Sequence, residues 1–209
     1  MNTISRTFPL DPGKSARPVY EMRPVVTGAD HAEAVALAED RGRWAAARGI
    51  VLASHYADSL RDQESETVGM YEDGLLIGCL VLDWRPDLQH WGTDGREPGL
   101  FVDATHSAPG RNDQVGMLIT LWLADYAARS GVPHVSCEIP WWPACEEGSL
   151  ALLCHLRDLG WLILGSGSGK GGTPVSRLRL GAEARAGITA LIACRVPLGS
   201  PTTAGVMSG

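Results

Sequence analysis

The chain has 209 residues, 44% of them hydrophobic and 20% charged, with a formal net charge of −6 at pH 7. That length suits one domain with at most a small appendage, able to bury a sizeable core without disulfides or a structural metal. The acidic balance argues against a broad electropositive surface for nucleic acid or an anionic membrane.

Of the 18 basic residues only Lys14 and Lys170 are lysine. A local phosphate contact therefore falls to arginine, whose planar fork suits it. Cys79, Cys137, Cys145, Cys154 and Cys194 show no CxxC spacing, and the six histidines no HExxH. These patterns point to no metal site, no disulfide framework and a reducing, cytoplasmic setting. The chain contains no apolar run of membrane-spanning length. Residues 1–18 lack the apolar core of a secretory signal and read as a flexible arm.

In chain order, residues 20–26 read as a strand. The turn Thr27-Gly28-Ala29-Asp30, with Asp30 as N-cap, opens an Ala-rich helix over 31–48, weakened at Gly42. A short helix is expected over 55–61. Two strands, 66–72 and 75–84, flank Asp73-Gly74, a good hairpin signal. A polar loop with tryptophans at its edges covers 85–98, and 99–106 reads as another strand. Residues 109–113 form a loop leading into the clearest helix, 114–130, whose apolar positions recur at three and four. Gly131 and Pro133 end it, and 134–139 is the next strand. An aromatic loop over 140–143, a helix over 149–159 and a strand starting at 161–164 follow. GSGSGKGGTP reads as a flexible connection, 175–180 as the last strand, and 182–209 as a partly disordered tail. The order implies one mixed α/β domain over 19–181.

The block from Gly99 to Ile139 carries the most chemistry. Gly110, Arg111, Asn112 and Asp113 lead straight into a helix start, with Gly116 in its first turn. Unpaired N–H groups and the positive end of the macrodipole make such a start a cradle for an anion; the alternative is a loop that merely begins a helix. The GSGSGKGG stretch lacks phosphate-loop spacing, since Lys170 is followed by Gly171.

The run Arg111-Asn112-Asp113-Gln114-Val115-Gly116 resembles the acyl-CoA motif of the GNAT (GCN5-related N-acetyltransferase) superfamily. There Arg or Gln is followed, after two residues, by Gly, one residue, and Gly or Ala. Arg111 and Gly116 match, and Gln114 stands at the first glycine. SLALLCHLRDLGWLILG resembles the family's last helix, with Trp161 after Gly160 where Phe is commoner. The element order from Tyr20 to Leu180 also fits. The resemblance implies a GNAT-like, mostly antiparallel mixed sheet of about seven strands flanked by about four helices.

It further implies an acyltransferase moving an acyl group, most simply acetyl, from acyl-CoA to an amine of a small molecule or peptide by direct attack. No metal is needed. The fourth and fifth strands would splay to admit the pantetheine arm along Val102 and Asp103. The amides of Asn112, Asp113, Gln114, Val115 and Gly116 would hold the pyrophosphate, with Arg111 beside them. A backbone N–H near residue 103 would polarise the thioester. Leu156 stands where the family has its acid tyrosine, which leaves His155 as a candidate acid. Asp103, His106 and Glu138 are candidates for the base.

Trp84, Trp91, Trp141 and Trp142 are candidates to line the acceptor pocket; Trp122 and Trp161 read as core. Two further readings stay open. One keeps the fold with another donor, aminoacyl-tRNA or a carrier-protein thioester, in bacterial natural-product biosynthesis. The other is a non-catalytic ligand-binding domain. A homodimer fits either.

Overall fold

A computed structural model of the chain describes residues 19–48, 59–61, 65–141, 146–169 and 172–199. The predicted arm over 1–18, Trp142, Cys145, Lys170 and the last ten residues lie outside the described residues. Eight strands form one sheet: β1 (Tyr20–Pro24), β2 (Glu66–Glu72), β3 (Leu75–Asp83), β4 (Leu100–Ser107), β5 (His134–Pro140), β6 (Leu162–Ser168), β7 (Pro174–Gly181) and β8 (Ile192–Cys194). The helices are α1 (Gly28–Ala46), α2 (Asn112–Arg129), α3 (Glu146–Asp158) and α4 (Ile188–Leu191), with a 3-10 turn at Gln89–Trp91. Residues 59–61 are helical, within the second helix expected at 55–61.

The sheet order is β6-β7-β5-β4-β3-β2-β1-β8. The β4–β5 and β1–β8 pairs are parallel, and the rest antiparallel. In the β2–β3 hairpin, Asp73 (φ 51°) and Gly74 (φ 83°) both take positive φ, as a type I′ turn requires. Helix α1 starts earlier than its apolar pattern suggests. Thr27, not Asp30, is the N-cap: its Oγ1 accepts from the Asp30 amide at 3.1 Å. Asp30 returns the favour by accepting from the Thr27 amide, so it is the third residue of a capping box. The helix runs on through Gly42.

The two faces bury different clusters. On one, Val115, Leu118, Ile119, Trp122, Leu123 and Tyr126 of α2 pack on Leu80, Leu82, Leu100, Val102, Val135, Cys137 and Leu178. Trp122 and Tyr126 stack at 4.6 Å between centroids. On the other, Ala34, Leu37 and Ala38 of α1 and Leu60 pack on Tyr71, Cys79, Val81 and Ala104. Burial of the Cys79 thiol pushes its pKa up to about 12, which marks it as packing rather than a nucleophile.

Two segments read as loose are built into the sheet. Residues 165–168, from the predicted flexible connection, complete β6 and pair with β7 from Gly165↔Arg177 to Ser168↔Pro174. Beyond residue 181, β8 adds in parallel to β1, with Ile192 buried. Tyr126 donates its hydroxyl proton to the Pro197 carbonyl at 2.6 Å, and Gly199 packs so close to the Trp84 ring that a Cβ would fall 2.0 Å from it. Short strands with few apolar residues give weak periodic signals, and their partners come from distant sequence.

Candidate active site

The parallel ladder between β4 and β5 is short. It pairs Leu100↔Val135, Phe101↔Ser136 and Val102↔Cys137, then ends. Beyond it β4 stays paired with β3 through Ser107, and β5 stays paired with β7 through Pro140. The two strands therefore part, and a gap opens between residues 103–107 and 138–140. A bulge helps. Val81 faces Ala104 and Leu82 faces Val102, so Asp103 is the extra residue of β4 at the point of separation.

Asp103 and Glu138 each sit one residue past the last rung, one on each lip. Asp103 is exposed and accepts from the Ser59 hydroxyl at 2.7 Å. Cys137 points into the α2 face, so Glu138 points to the α1 face, where the 84–99 loop covers β5 and β7. Glu138 Oε1 accepts from Trp91 Nε1 and faces His90 Nε2, both at 2.6 Å. Arg177 on β7 pins that turn, donating to the His90 carbonyl at 2.7 Å with its guanidinium 5.6 Å from the Trp91 ring centroid. Trp91 packs edge-on to Phe101 at 6.3 Å and against Leu88 and Leu164. The cluster needs glycine at the end of β6 and just past it. A Cβ at Gly169 would fall 2.7 Å from Glu138 Oε2, and one at Gly167 would strike the Arg177 guanidinium. The alternating Gly165, Gly167 and Gly169 read as a linker; Gly167 and Gly169, two apart, clear one face, whereas a Cβ on Gly165 would meet nothing within 4 Å.

The start of α2 lies on the far side of β4. Gly110 takes φ 82°, and Arg111 is the N-cap residue with no side-chain cap bond. The backbones of Asn112, Asp113 and Gln114 open the helix, and the Val115 amide is the first to find an intrahelical carbonyl, that of Arg111 at 3.0 Å. Val115 is buried against Gly78, where a Cβ would lie 2.8 Å from its Cγ1. Gly116 leaves open space: its nearest neighbour would be His155 Nε2, 4.0 Å from an added Cβ. His155 on α3 thus stands beside the cradle, on the opposite face from Glu138.

Two predicted cradle side chains are engaged elsewhere. Arg111 is paired with Glu72, which holds the Glu72 carboxyl below the usual range. Gln114 Nε2 donates to the Tyr20 hydroxyl at 2.6 Å. Burial raises the Tyr20 pKa, with Glu72 adding to it.

The tryptophans divide. Trp91 supports Glu138. Trp141 is half-buried at the end of β5, against the α2-face core. Trp84 is turned away: its indole donates to Glu66 at 2.8 Å and its ring tilts on Tyr126. His106 is buried on β4 opposite Cys79. A cleft of about 230 Å3 lined by Trp84, Arg96, Glu97, Gly99, His134 and Ser136 lies at the other end of the β4–β5 ladder, away from the gap. The groups of the site that sequence reasoning missed are His90, Arg177, Ser59, Glu72 and the glycines of β6. Only the glycine alternation carried a readable signal.

Among the described residues no cluster of His, Cys, Asp and Glu is arranged to hold a metal, and no helix is long and apolar enough to cross a membrane. No family model and no curated protein matches the chain. Solved structures do. A protein assigned to the GNAT acetyltransferases from Desulfovibrio desulfuricans aligns with TM-score 0.57 at 14% identity, covering 78% of this chain and 99% of that one. An N-acetyltransferase from Staphylococcus aureus aligns with TM-score 0.55 at 14% identity over 78% and 97%. A GNAT-family acetyltransferase from Listeria monocytogenes gives 0.52 at 14% over 77% and 95%. The chain has the GNAT fold.

Proposed function

We propose that the chain is a GNAT-superfamily N-acyltransferase that moves an acyl group from acyl-CoA to an amine. The observation that carries this reading is the parting of β4 and β5 after Val102↔Cys137, beside a helix start cleared by Gly116. A parted parallel pair leaves strand backbone unpaired, and such groups seek a partner. The amide-bearing pantetheine arm supplies one along residues 103–107, just past the Val102 rung. The amides at residues 112–114, which precede the first intrahelical bond at Val115, take the pyrophosphate, with the helix dipole aiding them. Gly116 lets the phosphate come close, and Arg111 exchanges Glu72 for it.

The acyl carbon then lies near the bulge at Asp103, where a backbone N–H polarises the thioester oxygen. The amine approaches from the α1 face, between Asp103 and Glu138. The C–N bond forms, the C–S bond breaks, and the thiolate leaves with a proton that the amine nitrogen gives up; on this reading His155, beside Gly116, stands at the phosphate end of the donor site and not at the sulfur. Trp91 and Trp141 flank the lips.

The test is calorimetric titration with acetyl-CoA and with longer acyl-CoA species. Micromolar binding that competes with free CoA is expected. No binding of any CoA thioester at millimolar concentration overturns the reading. The engagement of Arg111 and Gln114 with Glu72 and Tyr20 favours, as a second reading, the same fold with a carrier-protein or aminoacyl-tRNA donor. Acyl transfer that ignores CoA and needs such a donor would select it.

A further inference from the structure

Glu138 Oε1 has two neighbours at 2.6 Å, Trp91 Nε1 and His90 Nε2. An ionised carboxylate has only lone pairs to offer, so both contacts require a hydrogen on nitrogen. The indole always carries one. The neutral imidazole carries one on Nε2 in only one of its tautomers, which leaves Nδ1 as a lone-pair nitrogen, and the imidazolium carries one on each nitrogen. The His90 side chain keeps 24% of its surface open and Glu138 15%. The carboxylate has one oxygen committed to two donors and the other set against Gly169. The imidazole is the more open and the less committed of the two.

We propose that His90 is the group that takes the amine proton, and that Glu138 and Trp91 are its positioning residues. The proposal rests on the acyltransferase reading and reassigns the base within it, away from the carboxylates expected from sequence. The logic is that of a carboxylate holding an imidazole in one tautomer and stabilising the imidazolium that forms. The acceptor arrives as R–NH3+ and gives one proton to His90 Nδ1. The neutral amine attacks the thioester carbonyl, the C–N bond forms, and the C–S bond breaks. The second nitrogen proton leaves with the thiolate as thiol, and His90 passes its proton to solvent. The products are the amide, the thiol and one released proton, which balances the reactants.

Every element packed on the pair has a defined part. From β7, Arg177 donates from Nη2 to the His90 and Ser168 carbonyls and lies over Trp91, while its buried Nε has no hydrogen-bond partner. β6 and the residue after it bring Gly167, Ser168 and Gly169, none of them titratable. From β4 the nearest ionisable group in sequence to the gap is Asp103, bonded to Ser59. The turn carrying His90 is fixed by its own carbonyl, so the ring is presented by rigid backbone.

The tautomer is read by long-range 1H–15N correlation of the His90 ring in the full-length protein, with His90→Gln for assignment. Hydrogen on Nε2 in the wild type, with mixed tautomers in Glu138→Gln, is the expected result; hydrogen on Nδ1 overturns the proposal. The second measurement is acetyl transfer from acetyl-CoA to benzylamine, spermidine and an alanyl peptide. His90→Gln keeps a donor toward Glu138 but has no basic nitrogen. It should lower kcat about 100-fold, flatten the acid side of the pH–rate profile, and leave acetyl-CoA affinity unchanged. Wild-type turnover in His90→Gln overturns the assignment while leaving the acyltransferase reading intact. Failure of the wild type to bind acetyl-CoA defeats that reading instead, and the tautomer still decides whether the pair exists. Acetyl-CoA binding with no transfer to any of the three amines leaves the tautomer as the deciding measurement.

Discussion

On the β4 side of the gap, Asp103, Gly110, Arg111 and Gly116 belong to one strand–loop–helix run. On the β5 side, Glu138 is held by His90 and Trp91, 48 and 47 residues away, and the turn that carries them is pinned by Arg177, 87 residues beyond His90. The first side is a backbone device: open amides and missing side chains. The second is a side-chain device whose parts meet only after the sheet has assembled. A backbone device fails when something is added to it. A side-chain network fails when one contact is moved. Variants that do one or the other should therefore separate donor binding from acceptor chemistry.

The largest effect is expected from Gly116→Glu. The position has room for a Cβ, and glutamate forms helix better than the glycine it replaces. The fold should stand, with an unchanged melting temperature. A carboxylate now occupies the cradle proposed for the pyrophosphate, and acetyl-CoA binding should weaken at least ~100-fold, about 2.8 kcal/mol. Calorimetry reads this directly. Unchanged affinity would remove the start of α2 from the binding site.

Gly169→Ala does the converse. Its Cβ would fall 2.7 Å from Glu138 Oε2 and 2.9 Å from Val175 Cγ1. The carboxylate must move, and the two bonds at 2.6 Å move with it. We expect kcat to drop about 10- to 100-fold, the range seen when a proton-transfer group is misplaced. Affinity for acetyl-CoA should not change. A variant that lost both together would show that the two sides are one device.

The two sides also differ in how far they could be read from sequence. The hairpin at Asp73-Gly74, helix α2 and the stop at Gly131 follow local rules, and each falls within a few residues of its expected bounds. The gap was expected from the resemblance of 111–116, and its two acidic lips from strand position. His90 gave no such signal, because a histidine in a polar loop is indistinguishable from a solvated one until Glu138 is beside it. Trp84 shows the same limit in reverse. It looked like pocket lining, and Tyr126 and Gly199 claimed it for the seat of the C-terminal segment. The β6 glycines were misread because composition was weighed and period was not.

Trp91→Phe tests the acceptor side more gently. The ring remains on Phe101 and Leu88, and only the indole donor to Glu138 is lost. Removing one such bond should cost about 1–2 kcal/mol, or roughly 2–8 °C in melting temperature for a chain of this size. Turnover should fall by less than in Gly169→Ala, because Glu138 stays in place to hold the His90 ring.

The smallest expected effect belongs to Glu72→Gln, and it bears on the donor side. Arg111 must leave Glu72 to meet a phosphate, so the ion pair competes with the ligand. Both groups are reachable by solvent, and exposed pairs are weak. Freeing Arg111 should therefore tighten acetyl-CoA only about two- to five-fold, with a steeper loss of affinity on adding salt. The pH dependence has a definite sign. Arg111 holds the Glu72 carboxyl below the usual range. Its small contribution to stability is thus full at neutral pH and lost as pH falls through that lowered value. In the same acidic window Glu72 becomes neutral and stops competing, so the difference in affinity between wild type and Glu72→Gln should shrink on acidification. A difference that stays constant from neutral to acidic pH would mean that Glu72 acts on the cradle through packing and not through its charge.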